Sequence, residues 1–270
     1  MLNFVLRYCR QIIDGLTTPF VLSYRYRGLM WMLLRREIAT RTSGTALGFI
    51  WPLVQPALQV LGFWFLFDVV YGMRLERGAN FLSYLLTGML PWLGLSEVLN
   101  RSANMFREFA SVFRRTPFPI EILPVQLLCL PSVVYTAVLC LIAGLLFGAL
   151  AVLKALVVIP LLMVWLLPLV LCCALLGLFL RDFAQGLPFI LMLLLYCTPI
   201  LYFPDMLPAA MRTWLWLNPF SDLMALIHAW LQGLALPLNS LWRLLGLWLL
   251  LLGPAWLLFR RSLPHVREVL

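Results

Sequence analysis

Between Ala155 and Leu180 the chain carries no charged side chain, and tryptophan, leucine and proline fill the run. About 20 mostly apolar residues in a helix cross the hydrocarbon core of a bilayer. Six stretches of this kind can be placed: Ala46–Tyr71, Phe81–Leu99, Ile122–Leu153, Ala155–Leu180, Leu187–Phe203 and Leu241–Phe259. Only 11% of the 270 residues are charged and mean hydropathy is +0.97, against about a quarter charged in soluble domains. The spacing therefore predicts an all-α polytopic membrane protein with six transmembrane helices. Residues 1–270 form a single transmembrane domain, with a cytosolic and interface segment at 1–45, a bundle at 46–259 and a cytosolic tail at 260–270.

Net charge is +9, yet the basic residues gather at the ends of apolar spans rather than on a stripe, which argues for membrane lipids and against nucleic acid as partner. With six spans and both termini on the inner side, 15 of the 20 basic residues fall on that side, as the positive-inside rule requires. No cleavable signal peptide is expected, because the first 45 residues hold seven arginines and no long apolar core. Five of the six cysteines lie in apolar spans and no Cys-x-x-Cys pair occurs, so they read as small packing residues rather than as disulfides or zinc ligands.

The stretch Arg35–Gly62 joins two regimes. Upstream, Leu29, Met30, Met32, Leu33 and Leu34 alternate with arginines at helical spacing beside Trp31, which predicts an N-terminal amphipathic interface helix in the headgroup plane. Downstream the chain turns apolar, with Pro52 and Pro56 in the first turns of the span, where missing amide donors cost least. Residues 100–121 form a polar inner return in which Phe106, Phe109, Val112 and Phe113 define a short amphipathic helix ended by Pro117 and Pro119. A solvated surface helix and a docking helix both fit it. Lys154 marks the turn between spans three and four, and Arg181-Asp182 caps the inner end of span four. Two apolar pieces, Met211–Leu217 and Leu223–Leu236, are too short to cross and suit short outer re-entrant helices before the last span.

No catalytic residue is expected. His228 and His265 are the only histidines, no metal-ligand spacing occurs, and no Gly-x-Ser-x-Gly elbow is present. Acidic groups inside the spans are confined to Asp68 and Glu97 near the interfaces, which disfavours an ion-driven carrier. Lys154 is the only lysine and alanine follows it, so this chain holds no Gly-Lys-Ser/Thr phosphate loop. Transport powered by ATP then needs the ATPase on another polypeptide, docked on the basic inner helices. The many aromatic residues serve chiefly as belt anchors and packing; stacking on sugar rings is the alternative.

Several short motifs sharpen this. Arg36-Glu37-Ile38, Arg41, Leu47-Gly48, Trp51 and Pro56 come first, then Gly88-Met89-Leu90-Pro91 and the proline-containing return Arg115–Ile120. Arg181-Asp182, Thr198-Pro199-Ile200-Leu201-Tyr202, Leu207-Pro208 and Leu217-Asn218-Pro219 follow. In this order they resemble the permeases of polysaccharide-export ABC transporters, the family that exports O-antigen, capsule and teichoic acid, over nearly the whole chain. His228 departs from the pattern, since the family often has arginine there.

The resemblance implies two such subunits as a homodimer, driven by two ATPase subunits that bind ATP and Mg. It implies a lipid-linked glycan entering from the cytosolic leaflet of a bacterial inner membrane. Arg101–Thr116 becomes the ATPase-coupling segment, with Arg107, Glu108, Arg114 and Arg115 as its charged contacts. Tyr24–Ser43 becomes the interface helix at the substrate entrance, where Arg35, Arg36 and Arg41 either meet the carrier's phosphate or anchor headgroups. Phe49, Trp51 and Phe63 of span one, with Tyr196 and Tyr202 of span five, become candidates for the glycan path.

Overall fold

The computed structural model describes residues 2–42, 50–70, 72, 81–114 and 118–269, and these form helices with no strand among them. In chain order they are α1 (Leu2–Arg25), α2 (Arg27–Thr42), α3 (Trp51–Trp64, continued by a π-helical segment Phe65–Val70), α4 (Phe81–Ser102) and α5 (Met105–Phe113). Then come α6 (Leu123–Phe147), α7 (Ala149–Phe179), α8 (Arg181–Cys197), α9 (Ala209–Leu215), α10 (Pro219–Gln232) and α11 (Leu238–Val269). Among the described residues four segments are long and apolar enough to span a bilayer: Phe81–Ser102, Ile120–Phe147, Ala149–Phe179 and Leu238–Val266. The chain is thus a helical membrane protein. The other two expected spans are shorter: α3 has 14 residues before its π-helical segment, and α8 has 17.

Helix α4 is the axis of the bundle. Nearly all of it is buried, from Phe81 to Ser102, and it packs against α3, α6, α7, α8 and α10. Its partner α7 packs along α6, α4 and α11. Because lipid tails are as apolar as leucine, such helices associate through close packing, and small residues mark their crossings. Gly177 of α7 is the clearest case: a Cβ there would lie 1.9 Å from the Ala103 carbonyl oxygen. Only glycine lets the α4–α5 corner seat on α7.

Helix ends depart from the sequence reading in several places. The single interface helix Tyr24–Ser43 is two helices broken at Tyr26, and residues 43–49 lie outside those described. The one-sided helix is α1, which buries Gly15, Pro19 and Ser23 at intervals of one turn while Ile13, Thr17 and Val21 stay exposed. In α2 only Met30, Leu33 and Glu37 are buried, and Trp31, Met32, Arg35 and Arg36 are exposed together, so apolar and basic residues share one face.

The turn expected at Lys154 falls at Gly148. Its φ of +83° is left-handed, open to glycine without steric cost, and its amide donates to Gly144 O at 3.2 Å. Arg181-Asp182 opens α8 instead of capping α7, because the chain breaks into extended backbone at Leu180 and Asp182 then sits in a helix N-terminal turn, where a carboxylate is favourable. The second short helix expected before the last span begins at Pro219, ahead of the expected Leu223, because the Asn218 side chain accepts the Phe220 amide at 3.0 Å and caps it. It ends at left-handed Gly233 (φ +74°). Finally, α11 runs unbroken through Arg260-Arg261, so the expected tail is the last turns of a helix.

Candidate functional site

Five charged side chains from three helices form one connected ion chain. Glu37 of α2, only 7% exposed, accepts from Arg101 of α4 at 2.5 Å and from Arg41 one turn along α2 at 3.1 Å. Arg41 also donates to Glu97 of α4 at 2.6 Å, and Arg101 to Glu108 of α5 at 2.8 Å. Helix α6 supplies the remaining donors: Gln126 Nε2 reaches Glu37 Oε2 at 3.4 Å, and the Tyr135 hydroxyl donates to Glu97 Oε2 at 3.1 Å. A carboxylate as buried as Glu37 is tolerated only when paired and hydrogen-bonded, and here both of its oxygens are engaged.

Above this chain opens a cleft of about 720 Å³, walled by Thr40 and Arg41 of α2, Trp51, Gln55 and Gln59 of α3, and Ser96, Glu97 and Asn100 of α4. Ser96 Oγ and Asn100 Oδ1 are buried with no hydrogen-bond partner among the described residues, so the wall keeps polar capacity for a hydroxyl-rich ligand. The cleft combines an aromatic ring, amides and a hydroxyl with a paired-charge floor. Such a lining offers stacking and hydrogen bonding to a ligand. Among the described residues no group of three His, Cys, Asp or Glu side chains could hold a metal ion.

The expected site residues divide among several places. Arg41 belongs to the ion chain, whereas Arg35 lies over the Trp31 ring at 5.3 Å and Arg36 donates to Ser111 of α5 at 3.2 Å. Glu108 is the α5 end of the ion chain, and Arg107 reaches the Gly177 carbonyl at 3.4 Å. Arg114 is exposed at the end of α5. Arg115 and Phe49 lie outside the described residues. Trp51 lines the cleft; Phe63 is half-buried about 18 Å further along α3.

Tyr196 and Tyr202 stand at the other end of the bundle, which the structure thereby separates from Trp51. There the Tyr84 hydroxyl donates to Pro199 O at 2.6 Å, and the Tyr84 ring stacks on His228 with centroids 4.1 Å apart and planes 7° from parallel. His228 is buried, its Nδ1 2.9 Å from Thr87 Oγ1. The Thr87 hydroxyl has the Ser83 and Tyr84 carbonyls to donate to, so the network assigns the proton to Nδ1, which donates to Oγ1. Histidine here joins α10 to α4.

Sequence reasoning missed Glu37, Glu97, Gln126 and Tyr135 as site residues, and had Arg101 only as the first residue of the coupling segment. One signal was available for Glu37, which continues the buried face of Met30 and Leu33 at helical spacing.

A bundle of apolar helices with a paired-charge cleft at one end has the architecture of a membrane permease. The sequence matches the family described as ABC-2 type transporter over residues 28–231, and the chain belongs to that family. It is 24% identical to the O-antigen export system permease protein RfbA of Klebsiella pneumoniae, over 75% of this chain and 78% of the relative. It is 28% identical to the O-antigen export system permease protein RfbA of Myxococcus xanthus, over 76% of this chain and 81% of the relative.

Proposed function

We propose that the chain is the membrane-spanning subunit of an ATP-driven exporter that moves a lipid-linked polysaccharide, of the O-antigen or capsule kind, out of the cytosolic leaflet of a bacterial inner membrane. The observation that carries this reading is the likeness, over three quarters of the chain, to permeases named for O-antigen export. The make-up of the cleft supports it: Trp51 offers a ring face to a sugar, and Gln55, Gln59, Ser96 and Asn100 offer amides and hydroxyls.

In this reading the bundle has six spans, with α3 and its π-helical segment as the first and α8 with the chain to Phe203 as the fifth. Both termini are cytosolic, and α1 and α2 lie at the inner interface. A second copy completes the channel. Two copies of a separate ATPase bind ATP and Mg and dock on α5, whose Glu108–Arg101 pair carries their motion into α4 and the cleft. Arg36, held to α5 through Ser111, links the entrance helix to the same element. The outer helices α9 and α10 close the far end without crossing.

Deleting the gene tests the reading. Lipid-linked glycan should accumulate on the inner side and surface glycan should disappear, both restored by the chain together with its ATPase. Normal surface glycan with a change in export of some other lipid or drug would assign the permease to a different amphiphile. Activity of the isolated chain as a glycosyl- or acyltransferase would overturn the transporter assignment altogether.

A further inference from the structure

A second concavity lies at the end of the bundle away from the charged cleft, between α7, α10 and α11. It measures about 450 Å³ and every residue lining it is apolar, among them Val157, Leu161, Leu226 and Leu245. Three indoles frame it, and each donates its N–H to a backbone carbonyl of a neighbouring helix. Trp165 reaches Leu244 O at 3.5 Å, Trp248 reaches Val164 O at 3.3 Å, and Trp230 reaches Lys154 O at 3.3 Å. With their polar atoms occupied, the rings turn only apolar surface to the groove. Two of these bonds pin α7 to α11 at Val164–Trp165 and the third pins α10 to α7 at Lys154, so the concavity is held open rather than left by loose packing. Its volume falls in the range of preformed ligand sites.

Lys154 stands at the rim. Its ammonium lies beside left-handed Gly233, just past the C-terminus of α10, where a Cβ would come within 3.2 Å of Nζ, and helix C-termini favour cations. No carboxylate lies within 4.0 Å of it among the described residues. Arg243, adjacent to Leu244 at the Trp165 level, is taken up by Asp222 and by the Trp216 ring and carbonyl. From Lys154 to the groove floor at Trp165 is about 16 Å along α7, against a half-bilayer hydrocarbon depth of about 15 Å.

We propose that this groove holds one acyl chain of an anionic glycerophospholipid from the bilayer half opposite the charged cleft, with the lipid phosphate on Lys154. The inference stands whatever the permease exports. An unpaired cation at headgroup level over a dry slot one leaflet deep fits a phosphate with an acyl chain below it. A second protein surface would have to supply both a protruding apolar ridge and a carboxylate.

The test reconstitutes the 270-residue chain in nanodiscs of mixed phosphatidylethanolamine and phosphatidylglycerol and counts retained lipids by native mass spectrometry. The wild type should retain phosphatidylglycerol in preference, and Lys154→Gln should lower that preference about fivefold. Leu245→Trp, which fills the groove from its open side, should reduce retention of both lipids. Equal retention by the wild type, an unchanged preference in Lys154→Gln, or an unchanged lipid count in Leu245→Trp would each overturn the proposal. Recovery of a polyprenyl lipid from the native membrane in place of the phospholipid would overturn it too.

Discussion

Glu37 holds two arginines from two helices while almost wholly buried, and its loss should be felt well beyond α2. Glu37→Gln keeps the shape but leaves Arg41 and Arg101 with one carboxylate each, in a place where breaking an ion pair costs about 3 kcal/mol. We expect the midpoint of denaturant unfolding of the purified protein in detergent to fall accordingly, and Glu37→Ala to fall further. Trp51 makes the opposite prediction. Its side chain is 43% exposed at the cleft wall, so Trp51→Ala should leave stability nearly unchanged and slow glycan export several-fold in a cell-surface assay. Full export by a stable variant would return the ring to packing. Of the basic members of this site, Arg41 was legible in a collar of arginines and Arg101 as the start of the polar return. The pairings between helices were not, because Arg101 meets Glu37 and Arg41 meets Glu97 across 64 and 56 residues of sequence, and only tertiary packing decides which charge meets which. The same holds for His228, whose stacking on Tyr84 no periodicity announces.

Helix α5 sits where it does because a glycine lies beneath it. Gly177→Val would drive a branched side chain into the Ala103 carbonyl, and α5 could not keep its seat on α7. We expect little folded protein in the membrane, measured by size-exclusion chromatography after solubilisation. Gly186→Ala is the matched control: nothing lies within 4 Å of a Cβ there, so it should be neutral or stabilising by about 0.5–1 kcal/mol. The short amphipathic helix itself was readable from its phenylalanines, and Phe106 and Phe109 are indeed its buried face. The element ends were harder. Lys154 drew the turn to itself because charge is the loudest mark in an apolar run, while the true break is a quiet glycine six residues earlier. Asn218 was a readable cap that an apolar count passes over.

Across the whole molecule, the two helices that fall short of a clear span are also the least enclosed of the six expected to cross. α8 buries only Leu187, Leu191 and Leu195, and leaves Phe189, Ile190, Met192 and Leu193 exposed; α3 leaves Leu58, Leu61 and Phe65 exposed. Both lean on α4. If a second copy completes the channel, these faces lie nearest to it. Single cysteines replacing Leu61 or Met192, in a chain freed of its native cysteines, should then form disulfide-linked dimers in membranes. Cysteines replacing Leu141 or Leu145, exposed on α6, should not. Fold class was the most legible property, since composition alone excludes a soluble core. What composition does not contain is which apolar face meets lipid and which meets protein, because both are lined by the same leucines.

The turn at Gly148 bears on how the protein is made. α6 and α7 pack together along most of their length and are joined by that single residue, so no hydrophilic loop has to be carried through the bilayer between them. The pair can enter as a closed hairpin, its backbone bonds already satisfied, with the Lys154 ammonium as the main charge to reach the far side. A polar tag inserted at residue 148 should therefore block biogenesis at α6, leaving a truncated topology in which α4 and α5 are placed but the partner they pack against is not.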